Sequence, residues 1–125
     1  MEGLMRNLVH TLLFSGLVGL AAPVWSHHSA AQFDFDQNVP VVGTVTFVEV
    51  RNPHIKLILE VSDEAGQTKE IEYEGHSRNN VFRRGWRPND IEVGDEVTIE
   101  IAPLRSGSDE GGYIRSFKLA DGTEF

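Results

Sequence analysis

HIKLILEVSDEAGQTKEIEYEGH, residues 54–76, holds two runs of strict alternation on either side of one turn. In the first run Ile55, Leu57, Leu59 and Val61 share a face, with His54, Lys56, Ile58 and Glu60 on the other. In the second, Ile71 and Tyr73 oppose Glu70, Glu72 and Glu74. A period of two is the mark of a half-buried strand, and Asp63-Glu64-Ala65-Gly66 is turn chemistry, so the two runs predict an antiparallel pair. Opposed residues on such a pair point the same way, and a slip of one position would bury the glutamates. The register therefore sets Lys56 against Glu74, Leu57 against Tyr73 and, by extension, His54 against His76. Opposed Cβ atoms lie roughly 4.5–5.5 Å apart, close enough for two imidazoles to share a ligand.

Working outward, residues 41–50 are dense in β-branched side chains, with Gly43 placed where a bulge or a curl is easily accommodated. Arg51-Asn52-Pro53 ends this first strand, because Pro53 has no amide hydrogen to donate and holds Asn52 in extended geometry. Downstream, residues 77–85 carry a capping serine, the apolar pair Val81 and Phe82, late arginines and a terminal glycine, which together predict a short helix. A fourth strand over 96–102 buries Val97, Ile99 and Ile101. A glycine- and serine-rich loop over 104–112 then leads to a fifth strand over 113–119, with Tyr113, Arg115, Phe117 and Leu119 on one face. The order β-β-β-α-β-β predicts an all-β chain with one short helix, a five-stranded, partly open OB-like barrel.

Residues 1–26 have the form of a secretory signal peptide: Arg6 in a polar start, an apolar run from Leu12 to Ala22, and Val24 and Ser26 suited to a cut after Ser26. The run is shorter than the about 20 apolar residues a membrane-spanning helix needs. The expected organisation is thus a signal peptide over 1–26, a tail over 27–39 and an OB-like domain over 40–125. The exported product, periplasmic or secreted, has no membrane association after cleavage. His27 becomes its first residue, with His28 beside it.

The chain has a formal net charge of -8 at pH 7 and no cysteine, and its two methionines, Met1 and Met5, both fall in the leader. Disulfides and sulfur ligands are therefore excluded from residues 27–125. A metal there must be held by imidazole, amine or carboxylate, which suits Cu(II), Zn(II) or Ni(II). The negative charge predicts no nucleic-acid partner, since such a surface repels polyanions.

Read together, His27-His28-Ser29, Phe33-Asp34, Gly43-Thr44-Val45, Asn52-Pro53-His54, Arg83-Arg84-Gly85-Trp86, Gly94-Asp95-Glu96-Val97 and Asp121-Gly122 resemble a bacterial family of small exported proteins, domain-of-unknown-function family 6152. The chain departs from that pattern at Glu49-Val50-Arg51, where the family often has Glu-Trp-Thr. The resemblance spans the exported part of the chain and implies one β-barrel-like domain. It implies no activity.

Two candidate sites follow from the residues. A free N-terminal histidine chelates through its amine and Nδ1, and both groups shed protons readily near neutral pH. His27, His28, His54 and His76 are accordingly the candidate ligands for a divalent metal, Cu(II) foremost. The alternative is a non-metal site for a small ligand or protein partner at the Arg83, Arg84 and Trp86 corner, where a guanidinium stacked on the indole could receive a carboxylate or an anionic sugar. Phe33 and Phe35, alternating with Asp34 and Asp36, predict an edge strand with two buried rings. No Gly-x-Ser-x-Gly, His-Glu-x-x-His or phosphate-loop pattern occurs, and a binding protein rather than an enzyme is expected.

Overall fold

A computed structural model describes residues 30–125. The proposed leader, His27 and His28 lie outside the described residues. A 3-10 turn at Ala30–Gln32 precedes β1 (Val39–Glu49), β2 (Lys56–Ser62), β3 (Thr68–Glu74), the helix α1 (Arg78–Arg83), β4 (Glu96–Pro103) and β5 (Gly112–Leu119). The strands close a barrel in the order β1-β2-β3-β5-β4, in which β3 and β5 are parallel and joined by only two residue pairs, Tyr73 with Gly112 and Glu74 with Tyr113. This is the partly open OB-like barrel expected from the element order. Among the described residues no helix is long and apolar enough to cross a membrane.

Closure depends on β1. Its first half pairs with β4, Val39 to Thr44, and its second half with β2, Thr44 to Glu49. Gly43 stands at the handover. A Cβ there would sit 2.8 Å from the Glu60 carbonyl oxygen and 3.0 Å from Leu59 Cβ, so glycine is what lets the two backbones approach. The bulge in β1 comes slightly later: Val45 pairs with Leu59 and Phe47 with Ile58, leaving Thr46 as the extra residue.

The β2–β3 register is the expected one, with Lys56 opposite Glu74 and Leu57 opposite Tyr73. Its inward residues Leu57, Leu59, Ile71 and Tyr73 join Val45, Val97, Ile99, Ile114 and Phe117 in the core. β5 departs from simple alternation. Ser116 pairs with Glu100 and Ile114 with Ile101, so Arg115 is looped out by a bulge, and Ile114 rather than Arg115 shares the buried face with Phe117. A bulge adds one residue against its partner and shifts every side chain beyond it to the other face, an event that alternation within β5 alone does not reveal.

α1 closes one end of the barrel. Ser77 caps it, its Oγ accepting from Asn80 N–H at 3.3 Å. Val81 faces the core, and Trp86 and Ile91 from the following turn complete the plug. Residues 33–38, expected as tail, lie on the barrel wall instead. Phe33 is buried with Ala102 and Tyr113, Asp34 N–H donates to Pro103 O, and Arg105 N–H donates to Gln32 O. The predicted edge strand reduces to one bridge between Phe33 and Leu104, and only one of the two rings is buried, Phe35 being exposed.

Candidate functional site: a histidine pair around Tyr113

His54 ends the loop between β1 and β2, and His76 leaves β3 toward α1. The ladder joins them with an irregularity: Gly75 N–H donates to Ile55 O at 3.0 Å, and Ile55 N–H donates to His76 O at 3.0 Å. Gly75 and His76 thus both face Ile55, and the direct opposition expected of His54 and His76 gives way to an offset. Gly75 O instead receives the His54 ring, whose Nδ1 lies 3.0 Å away. A carbonyl only accepts, so His54 carries its hydrogen on Nδ1 and presents Nε2.

His76 Nδ1 lies 3.2 Å from the Tyr113 hydroxyl. Both imidazoles meet the Tyr113 ring edge-on, with centroids at 6.4 Å for His54 and 5.3 Å for His76. Both histidines are half-buried. Burial holds His76 below the ordinary imidazole pKa, and the nearby Arg84 and His54 charges act in the same direction. Burial likewise raises the Tyr113 phenol, Glu74 adds to the rise and Arg84 opposes it. In this setting the neutral forms of both groups are favoured near pH 7.

Tyr113 also anchors the N-terminal segment. Its ring packs against Phe33 at 5.5 Å and Phe35 at 5.3 Å, and the neighbouring Arg115 donates to Phe35 O and Gln37 O. The chain leading back to residue 27 is therefore tied to the same tyrosine that touches both histidines. Ala30–Gln32 forms the 3-10 turn before Phe33, and the three positions from Ala30 back to His27 span at most about 10 Å at the extended rise per residue.

Carboxylates border the site on one side. Lys56 Nζ bonds Glu72 at 2.9 Å rather than the directly opposed Glu74, and Glu74 Oε1 is buried without a hydrogen-bond partner among the described residues. Glu72, Glu74, Glu110, Phe33 and Leu104 line a cleft of about 240 Å³ where β3 meets β5. Among the described residues no three of His, Asp and Glu converge as a ready metal cage. His54 and His76 offer two ligands, and a closed set needs more from elsewhere.

The second expected site is rearranged. Trp86 is only 1 % exposed and stacks on Phe117 at 5.7 Å and 20°, so its indole faces the core and is not a platform for a ligand. Arg83 and Arg84 are exposed, and Arg84 donates to Arg115 O at 3.0 Å. Arg78 and Arg87 stand over the Phe82 ring at 5.2 and 5.8 Å. What remains at this corner is a set of four exposed arginines, two of them over a half-buried phenyl ring. Tyr113, unremarked in the sequence beyond its place in a strand, is the residue that joins the histidines to the N-terminal segment. The one signal for it was its position at the start of β5.

The chain belongs to the family described as "Family of unknown function (DUF6152)", whose model matches residues 15–113. No curated protein matches it. Among solved structures it is similar to the S. cerevisiae mitochondrial single-stranded DNA binding protein Rim1, with a TM-score of 0.51 and 12% sequence identity over 67% of this chain and 93% of that one. A likeness at this identity is one of fold, and it agrees with the OB-like barrel. It also corrects the exclusion of nucleic acid drawn from net charge, since a protein titled as binding single-stranded DNA has this fold. Net charge averages over a surface, whereas contact is local, and this acidic chain gathers Arg78, Arg83, Arg84 and Arg87 around one short helix.

Proposed function

We propose that this member of the DUF6152 family is an exported protein that binds a divalent transition metal, Cu(II) foremost. His54 and His76 contribute ring nitrogens, the amine and ring of His27 complete the site after cleavage following Ser26, and His28 is a further candidate. The observation that carries the reading is the pinning of both these histidines through Nδ1, to Gly75 O and to the Tyr113 hydroxyl. Such bonds orient ligating imidazoles, and the one to a carbonyl, which only accepts, leaves Nε2 of His54 available. Support also comes from the docking of Phe33 and Phe35 on Tyr113, which ties the segment that follows His27 in sequence to the tyrosine that touches both histidines.

Calorimetric titration of correctly processed protein with Cu(II) tests this. One equivalent is expected to bind tightly, and adding a single residue before His27 is expected to weaken uptake by at least an order of magnitude. Micromolar or weaker uptake, indifferent to that extension, would reject the reading.

A second reading rests on the arginine corner: a ligand bearing phosphate or carboxylate, a single-stranded oligonucleotide included, held by Arg78, Arg83, Arg84 and Arg87. Fluorescence anisotropy with a labelled oligonucleotide at low salt tests it. Binding that survives a chelator and falls in an Arg83→Gln, Arg84→Gln double variant would favour this reading over the metal.

A further inference from the structure

Resting on the metal-binding reading, we infer that Tyr113 is a positioning residue: its hydroxyl accepts the Nδ1 hydrogen of His76 and holds that imidazole in the tautomer whose Nε2 lone pair is free for a ligand. The two neutral tautomers of a histidine are chosen by the partner of the other nitrogen. For His54 the choice is forced by the Gly75 carbonyl. A phenol can donate or accept, so for His76 the geometry around Tyr113 decides.

That geometry is tightly set. Tyr113 is the second residue of β5 and is paired in parallel with Glu74, two residues before His76, which brings its ring beside the His76 imidazole. Tyr113 is 8 % exposed, and its ring packs against Phe33 and Phe35, which also touch each other at 6.3 Å. The His76 plane stands at 89° to the Tyr113 ring, with 3.2 Å between Nδ1 and the hydroxyl oxygen. Glu74, the nearest carboxylate on β3, has a buried oxygen with no hydrogen-bond partner among the described residues. Its charge acts on the Tyr113 phenol without a hydrogen bond to the hydroxyl, whose one hydrogen-bond partner among the described side chains is His76. With both rings protonated on Nδ1, His54 and His76 present the same kind of ligating atom, Nε2, beside one tyrosine.

Tyr113→Phe removes the hydroxyl and keeps the ring. In metal-free protein at about pH 8, above the ordinary imidazole range, long-range ¹H–¹⁵N correlation spectra should show wild-type His76 protonated on Nδ1. In Tyr113→Phe the hydrogen should move to Nε2, the tautomer free imidazole prefers in water, with His54 unchanged. Cu(II) affinity should fall roughly 10–100-fold, the usual effect of losing an outer partner of a metal-bound histidine. Wild-type His76 protonated on Nε2 would overturn the inference without any variant, as would a Tyr113→Phe protein whose His76 tautomer and Cu(II) affinity both match wild type. The tautomer is read without metal. A wild-type protein with the Nδ1–H form that takes up no Cu(II) would therefore reject the metal-binding reading while leaving the role of Tyr113 in orienting His76 in place.

Discussion

Replacing Trp86 with alanine separates a core residue from a ligand platform. The indole is 1 % exposed, lies flat on Phe117 at 5.7 Å and meets Phe82 edge-on at 6.5 Å. Together with Val81 and Ile91 it fills the end of the barrel that α1 covers. Truncating a buried tryptophan removes its transfer free energy and leaves a cavity, at a cost of about 3–5 kcal/mol. Small domains hold only about 5–15 kcal/mol in reserve, so about a fifth or more of the stability should disappear. At roughly 4–8 °C per kcal/mol for a domain of this size, the melting temperature should fall by at least about 12 °C. Urea denaturation followed by far-ultraviolet circular dichroism is the suitable assay, since the variant lacks the indole that would report by fluorescence. Trp86→Phe should recover part of the loss by restoring the stack on Phe117. A Trp86→Ala protein within about 1 kcal/mol of wild type would refute the packing described and return the indole to the surface.

Three further outcomes are expected. Gly43→Ala should destabilise the barrel by about 1–3 kcal/mol in the same assay, because the new Cβ meets the Glu60 carbonyl at 2.8 Å and backbone must yield; an unchanged midpoint would contradict the close approach of β1 and β2. Arg115→Ala removes the guanidinium that holds Phe35 O and Gln37 O and should speed proteolytic cleavage within residues 33–38 several-fold, as seen by mass spectrometry of the fragments. The His76 pKa is lowered by burial, by Arg84 and by His54, so between the folded and unfolded values the unfolded chain binds more protons. Stability should then fall as pH drops below about 6.5 and level off once the folded form also protonates. Midpoints measured from pH 8 to 5 should show this slope, reduced in His76→Gln; a slope identical in the two proteins would contradict it.

The β2–β3 hairpin was legible because its inward and outward residues differ in kind at every step, and Lys56 against Glu74 is the pairing it adopts. The helix was legible from Ser77 and Gly85, which act locally. What escaped reading depends on contacts between distant segments. The bulge at Arg115 answers the geometry of β4 and is invisible within β5. Trp86, flanked by arginines, suits either a stacking platform or a cover for the core, and only the open barrel end, which needs a large plug, turns the indole inward. The offset at Gly75 and His76 arises where β2 gives way to its preceding loop, so a register correct for the strands fails by one position just beyond them. Phe33 was expected to be buried, but only its docking on Tyr113 ties the N-terminal segment to the histidines.

Electron paramagnetic resonance of processed protein loaded with one equivalent of Cu(II), comparing wild type with His54→Ala and His76→Ala, bears immediately on metal binding by His54 and His76. A tetragonal, nitrogen-rich spectrum in the wild type that loses imidazole couplings in each variant is the expected result. Identical spectra in all three proteins, or a signal indistinguishable from aqueous Cu(II), would contradict it.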